Sequence, residues 1–293
     1  MKILFAVLLC LISSSVFAQT NCLNDGVAPQ LSAETRREFE AKLAEAREQF
    51  EKDPRSADRL IWVGRRTAYL GQYKDAISIY TDGIKQFPND ARFYRHRGHR
   101  LITLRCFDAA IADFEKAAAL IKGKPDEIEP DGLPNARNIP TSTLQSNIWY
   151  HLGLANYLKG DFRRALAAYR EAEKVSTNPD MLVATTHWLY MTLRRLNRDK
   201  EAAAVLMRIN DNLTVIENAD YLKLIDIYRG KIKPDDVVTK DTNSLSNASL
   251  GYGVGNWFLY NGQRARAEKI FRQVTAGNQW SSFGYIAAEA ELK

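Results

Sequence analysis

The chain has 293 residues, 45% of them hydrophobic and 26% charged, the balance of a folded protein with enough apolar side chains for a sizeable core. Its 16 Gly, 9 Pro and 10% aromatic content exclude collagen-like or low-complexity character, and no apolar run reaches the roughly 20 residues of a membrane span. A formal charge of +6 is a modest excess, short of a nucleic-acid-binding footprint, so no nucleic acid is expected.

Residues 1–18 have the composition of a signal peptide. Lys2 gives a positive start, Ile3 to Ile12 are apolar, and Val16-Phe17-Ala18 supplies the small residues that a signal peptidase accepts. Cleavage near Ala18 predicts an exported protein, periplasmic or secreted, with no transmembrane insertion afterwards. Cys10 leaves with the leader, and Cys22 and Cys106 are the disulfide candidate that an oxidising compartment allows. The bridge would close a loop of roughly 85 residues, valued by chain entropy at about 4 to 5 kcal/mol. A buried, unpaired Cys106 is the alternative.

Residues 19–56 form an N-terminal segment and a leading helix, because Phe39, Leu43, Ala46 and Phe50 make one apolar stripe. Self-similarity at a fixed period follows. Gly64 and Gly98, Tyr73 and Phe107, Ala76 and Ala110, Tyr80 and Phe114, and Gly83 and Ala117 each stand 34 residues apart. The same classes return at Gly153, Phe162, Ala165, Tyr169 and Ala172 after an insertion of 21 residues. Small residues at these positions let two antiparallel helices cross closely, and the large ones fill the space that remains. Gly71 and Gly160 end first helices and Pro88 follows a second one. Residues 57–121 therefore hold repeats 1 and 2, 122–145 an acidic, proline-rich insertion, and 146–210 repeats 3 and 4, with Leu189, Ala202 and Leu206 marking the fourth. A decayed repeat and linker, with Tyr221 to Tyr228 as its first helix, is assigned to 211–247, and a last repeat with a closing helix to 248–293.

Trp149, Leu152, Gly153, Gly160, Phe162, Ala165, Tyr169 and Ala172 resemble the signature of the tetratricopeptide repeat family, as do Gly64, Ala76, Tyr80 and Pro88. The resemblance covers about residues 57 to 276 with interruptions. It implies an all-α, right-handed α-solenoid of antiparallel helix pairs with leading and closing cap helices. It also implies that the first helices line a concave face. The inward positions hold Arg65, Arg92, Arg95, His99, Asn147, Tyr150, Tyr157, His187 and Arg194, a basic and aromatic strip with no acid among them. Guanidiniums bind carboxylates bidentately and tyrosine offers contact area at low entropic cost. The expectation is a noncatalytic scaffold or adaptor of the bacterial cell envelope, binding an acidic or C-terminal peptide segment of another exported protein.

Two alternatives accompany it. The arginines are a solvated face, or the insertion, with Asp126, Glu127, Glu129 and Asp131, occupies its own groove. The family's carboxylate clamp is not reproduced, because Ile61 and Arg65 stand at its positions in the first repeat. An envelope enzyme, or its accessory subunit, with an unrecognised site is the reading from another class. No Walker loop, zincin motif or nucleophile elbow is present, and no catalytic residue or cofactor is assigned. Gly251-Tyr252-Gly253-Val254-Gly255 lacks the third glycine at nucleotide-loop spacing, and helix contact accounts for Gly255. His96 and His99 precede Cys106, but Arg95, Arg97 and Arg100 would repel a cation, so no metal is assigned either.

Overall fold

The computed structural model describes residues 26–237 and 245–293, with only the backbone given for residues 245–247. The leader, Cys10 and Cys22 lie outside the described residues. Among the described residues thirteen α-helices run in the order α1 (Ala33–Lys52), α2 (Ala57–Tyr69), α3 (Tyr73–Gln86), α4 (Ala91–Thr103), α5 (Phe107–Ile121), α6 (Leu144–Leu158), α7 (Phe162–Val175), α8 (Pro179–Arg195), α9 (Asp199–Leu206), α10 (Ala219–Tyr228), α11 (Leu245–Tyr260), α12 (Arg264–Thr275) and α13 (Phe283–Glu291). The described residues contain no strand, and a lone antiparallel bridge joins Ile128 to Thr143. No described helix is long and apolar enough to cross a membrane.

Helix starts follow from local chemistry. Ser56, Asp90, Asp161 and Asn178 accept hydrogen bonds from the otherwise orphaned N–H groups of α2, α4, α7 and α8, and Thr143 with Ser146 forms a capping box on α6. The turns inside the helix pairs need a left-handed residue. Gly71, Arg105, Gly160, Asn197 and Gly262 fill that position with φ of 80°, 64°, 83°, 56° and 80°. Four of these residues are glycine or asparagine, which tolerate the conformation, and Arg105 does so at a steric cost of about 1 kcal/mol.

Helix pairs α2/α3, α4/α5, α6/α7 and α11/α12 pack closely. The reason is one spacing used four times: Gly64, Gly98, Gly153 and Gly255 lie against the rings of Tyr80, Phe114, Tyr169 and Phe271, each 16 residues onward. A Cβ at any of these glycines would collide with the ring. Each ring is at most 1% exposed, worth about 2 to 3 kcal/mol in apolar burial. Gly255 is thus a packing residue of a helix pair. In the fourth pair Tyr190 and Leu206 hold the equivalent positions, and α9 has only eight residues.

The region between that pair and the last departs from the expected hairpin. α10 is present, but Gly230 ends it in the left-handed region. The described chain then makes only a 3-10 turn at Pro234–Asp236. Residues 238–244 lie outside the described residues. α10 packs against α8 and α11.

The C-terminal helices return to the earlier repeats. α13 packs on α11 and α12 and reaches α6. Gly284 presses onto the backbone of Ala248, where no Cβ would fit. Arg105 clasps this end: its Nε and Nη2 donate to Glu289 Oε2 at 3.0 and 2.8 Å, and its guanidinium stacks 3.7 Å from the ring of Trp280. Trp280 in turn stacks on Tyr73 and touches Gly26, so the ends of the repeat array meet.

Candidate functional site

α2, α4, α6 and α8 lie side by side, each touching the next, and the strip of basic and aromatic positions runs along them. The chain's own segments lie on that strip, which corrects the expectation of an open basic groove. Proline breaks keep residues 122–143 non-helical, and this segment crosses the part made by α2, α4 and the start of α6. Glu129 is its anchor. The Glu129 carboxylate meets Arg95 Nη2 at 2.9 Å with both side chains about nine-tenths buried, and Asn147 Nδ2 donates to its other oxygen at 3.1 Å. Arg65 Nη1 donates to the carbonyl of Pro130 and Arg66 Nη1 to that of Gly132, each at 2.8 Å. Gly132 lies so close to Tyr69 and Arg65 that a Cβ would overlap both. Glu127 and Ser142 close the segment's base, accepting from the N–H groups of Leu144 and Glu129 at 2.8 and 3.2 Å.

The remaining positions divide by location. Arg92 pairs with Asp90 and Asp58, acids contributed from outside the strip, so its charge is already met. His99 packs against His151 and Phe283, with ring centroids 4.7 and 5.4 Å away. Tyr150, Tyr157 and His187 are 5%, 3% and 1% exposed and belong to the core beneath the returning C-terminal helices. Tyr157 accepts from Tyr252 and from Asn256 Nδ2, both at 2.9 Å, while His187 stacks on Tyr221 and its Nδ1 lies 3.0 Å from the Tyr228 hydroxyl. Arg194 pairs with Asp199 at 2.7 Å and lies over the ring of Tyr260. The family resemblance implies inner-face positions for all nine, but it carries no signal that α10, α11 and α13 fold back over about half of them.

Electrostatics follow from this enclosure. Burial drives His151 and His187 down to about 3. His96 and His99 also fall well below the usual imidazole range, through burial first and then the charges of Arg95 and Arg100 respectively. Arg95 Nη1 approaches the Nδ1 atoms of His96 and His99 at 3.2 and 3.4 Å. A guanidinium only donates, so both rings accept at Nδ1 and carry their proton on Nε2. Among the described residues no cluster of three His, Cys, Asp or Glu has metal-binding geometry. Cys106 is disulfide-bonded, and the expected partner, Cys22, lies outside the described residues.

The tetratricopeptide repeat family model matches residues 146–179, which span α6 and α7. A curated relative, the BBSome complex member BBS4 of Bos taurus, is 29% identical over 140 residues, 48% of this chain; the chain spans only 23% of that relative's length. Among solved structures, YrrB, a TPR protein with an unusual peptide-binding site, aligns over 85% of this chain and 98% of its own with 14% identity and a TM-score of 0.45. MamA from Desulfovibrio magneticus RS-1 aligns over 60% and 85% with 18% identity and a TM-score of 0.45. The family match places a tetratricopeptide repeat at residues 146–179, and the sixteen-residue pairing of glycine with a buried ring recurs in that hairpin and three others.

Proposed function

We propose that the chain is a noncatalytic scaffold of the bacterial cell envelope that holds an extended acidic segment of another exported protein in the groove formed by α2, α4 and α6. The observation that carries this is the seating of Glu129. An extended acidic stretch lies in that groove, its carboxylate held by Arg95 and Asn147 and its carbonyls by Arg65 and Arg66. The groove therefore has the chemistry of a peptide site, and the insertion is the ligand that a partner displaces at high effective concentration. Export is supported by the leader-like residues 1–18 and by the disulfide-bonded state of Cys106, which suits an oxidising compartment. The helical-repeat architecture, which presents extended surfaces to other chains, supports the scaffold role.

The test uses a Gly132→Val chain, whose branched side chain would push against the Tyr69 hydroxyl and the Arg65 guanidinium, and a fluorescent peptide copying residues 124–134. Limited proteolysis first verifies that the insertion has left the groove. The peptide is then expected to bind with micromolar Kd, because an extended segment must be ordered on binding. Adding Arg65→Gln should weaken it about tenfold. No binding at about 1 mM peptide, with the insertion displaced, refutes the groove assignment.

A further inference from the structure

Behind Glu129 lies a cavity of about 100 Å³, bordered by Arg65, Arg95, Arg100, His96, His99 and Glu129. Three guanidiniums there face one carboxylate. Glu129 is already divided between Arg95 and Asn147. Arg65 hydrogen-bonds only the carbonyl of Pro130 and the hydroxyl of Tyr69, and the carboxylates of Glu129 and Asp131 act on it through charge without an ion-pair contact. Arg100 has no ion-pair partner among the described residues; its contact is the ring of Tyr73, 5.9 Å away. Arg95 Nε is buried without a hydrogen-bond partner. Neither histidine alters the balance toward negative, since an imidazole is neutral or cationic. Asp131, which interacts with Arg65, does not border the cavity.

An enclosed excess of positive charge is costly unless an anion joins it. We propose that this cavity binds one small tetrahedral oxyanion, of the size and charge of inorganic phosphate, held between Arg65, Arg95 and Arg100. Guanidinium forks match the oxygens of such an ion in pairs. The two imidazoles, fixed by Arg95 with their protons on Nε2, add neutral donors that can serve an oxyanion and have no use for a cation. The ion would sit behind the acidic segment. It is a second ligand, separate from the peptide of the reading above, and it ties α2 to α4.

The experiment is equilibrium dialysis of radiolabelled inorganic phosphate against the full exported chain at pH 7.5 and constant ionic strength, with sulfate and acetate as competitors. Saturable binding of one phosphate per chain is expected, displaced by sulfate more effectively than by acetate. Arg100→Gln should weaken it at least tenfold. Glu129→Gln, which removes the sole carboxylate bordering the site, should tighten it several-fold. No saturable binding in the wild type, an unchanged affinity in folded Arg100→Gln, or weaker binding in Glu129→Gln overturns the proposal. Should Arg100→Gln fail to fold by circular dichroism, the opposite sign required of Glu129→Gln decides alone. Peptide capture by the Gly132→Val chain is scored separately in phosphate-free buffer, so failure of either reading leaves the other measurable.

Discussion

Gly153 stands directly against the ring of Tyr169: a methyl group placed on Gly153 would lie 2.7 Å from two of the ring's carbons. The ring is fully buried and has no free volume to retreat into, so overpacking here has to move α7 away from α6.

Gly153→Ala is therefore expected to destabilise the chain by about 1 to 3 kcal/mol, although alanine is the better helix former by about 1 kcal/mol. Combining it with Tyr169→Leu, which frees the space, should cost less than the sum of the two single changes. Urea unfolding of the four proteins measures the coupling. Additive losses would mean that the glycine and the ring are not packing partners.

The same pairing shows why the repeats were legible in the sequence. Small and large residues of one hairpin return 34 positions on in the next, as Gly64 and Tyr80 do at Gly98 and Phe114; that the glycine and the ring of each hairpin touch is seen only in the structure. The fate of the inner face was not legible. Tyr157 meets Tyr252 and Asn256 across 95 and 99 residues, and Arg105 meets Glu289 across 184. Such contacts leave no periodic mark. The insertion's acidity did foreshadow its place beside Arg65 and Arg95, because complementary charge is a property of composition and survives without register. Half of the expected decayed repeat was also legible: the apolar spacing of Tyr221 to Tyr228 lies in α10.

Arg105 offers a comparison between strain and clasp. Its φ of 64° suits glycine, yet its side chain bonds Glu289 and covers Trp280. Both Arg105→Gly and Arg105→Ala lose the clasp, but only glycine removes the strain. The glycine variant should be the more stable of the two by about 1 kcal/mol. Both should release α13, read as faster hydrogen exchange at residues 283–291 than in the wild type. Equal stability of the two variants would show that the backbone at this turn carries no strain.

Cys106 is disulfide-bonded, and peptide mapping of the non-reduced protein is expected to recover its peptide joined to that of Cys22. Reduction should lower stability by about 4 to 5 kcal/mol for a loop of this length. Recovery of both peptides as free thiols from the native protein would remove the bridge, and with it one of the two supports for the proposal of an oxidising compartment.

All four histidines of the chain are held below their ordinary range, with burial as the first cause in each case. The sign follows from proton counting. Above pH 6.5 the rings are neutral in both folded and unfolded chains, and stability is indifferent to them. Below that pH the unfolded chain takes up protons that the folded chain refuses, until the folded rings titrate, near pH 3 for His151 and His187. Stability must fall with acidification, by about 1.4 kcal/mol per pH unit for each ring once well below 6.5. Glu289, whose carboxyl is lowered from 4.5 in the folded state, contributes in the same direction only further down the scale. Carboxyls that burial raises, Asp113 and Asp131, act in the opposite direction, so between pH 6.5 and 5 a single imidazole is isolated by the difference between a histidine variant and the wild type. His187→Phe keeps a flat ring against Tyr221 but removes one titrating group, together with the hydrogen bond between its Nδ1 and the Tyr228 hydroxyl. Urea midpoints measured across that interval should slope less steeply in the variant by about one proton, with m unchanged. A slope identical to the wild type would place His187 in contact with water, contrary to its 1% exposure.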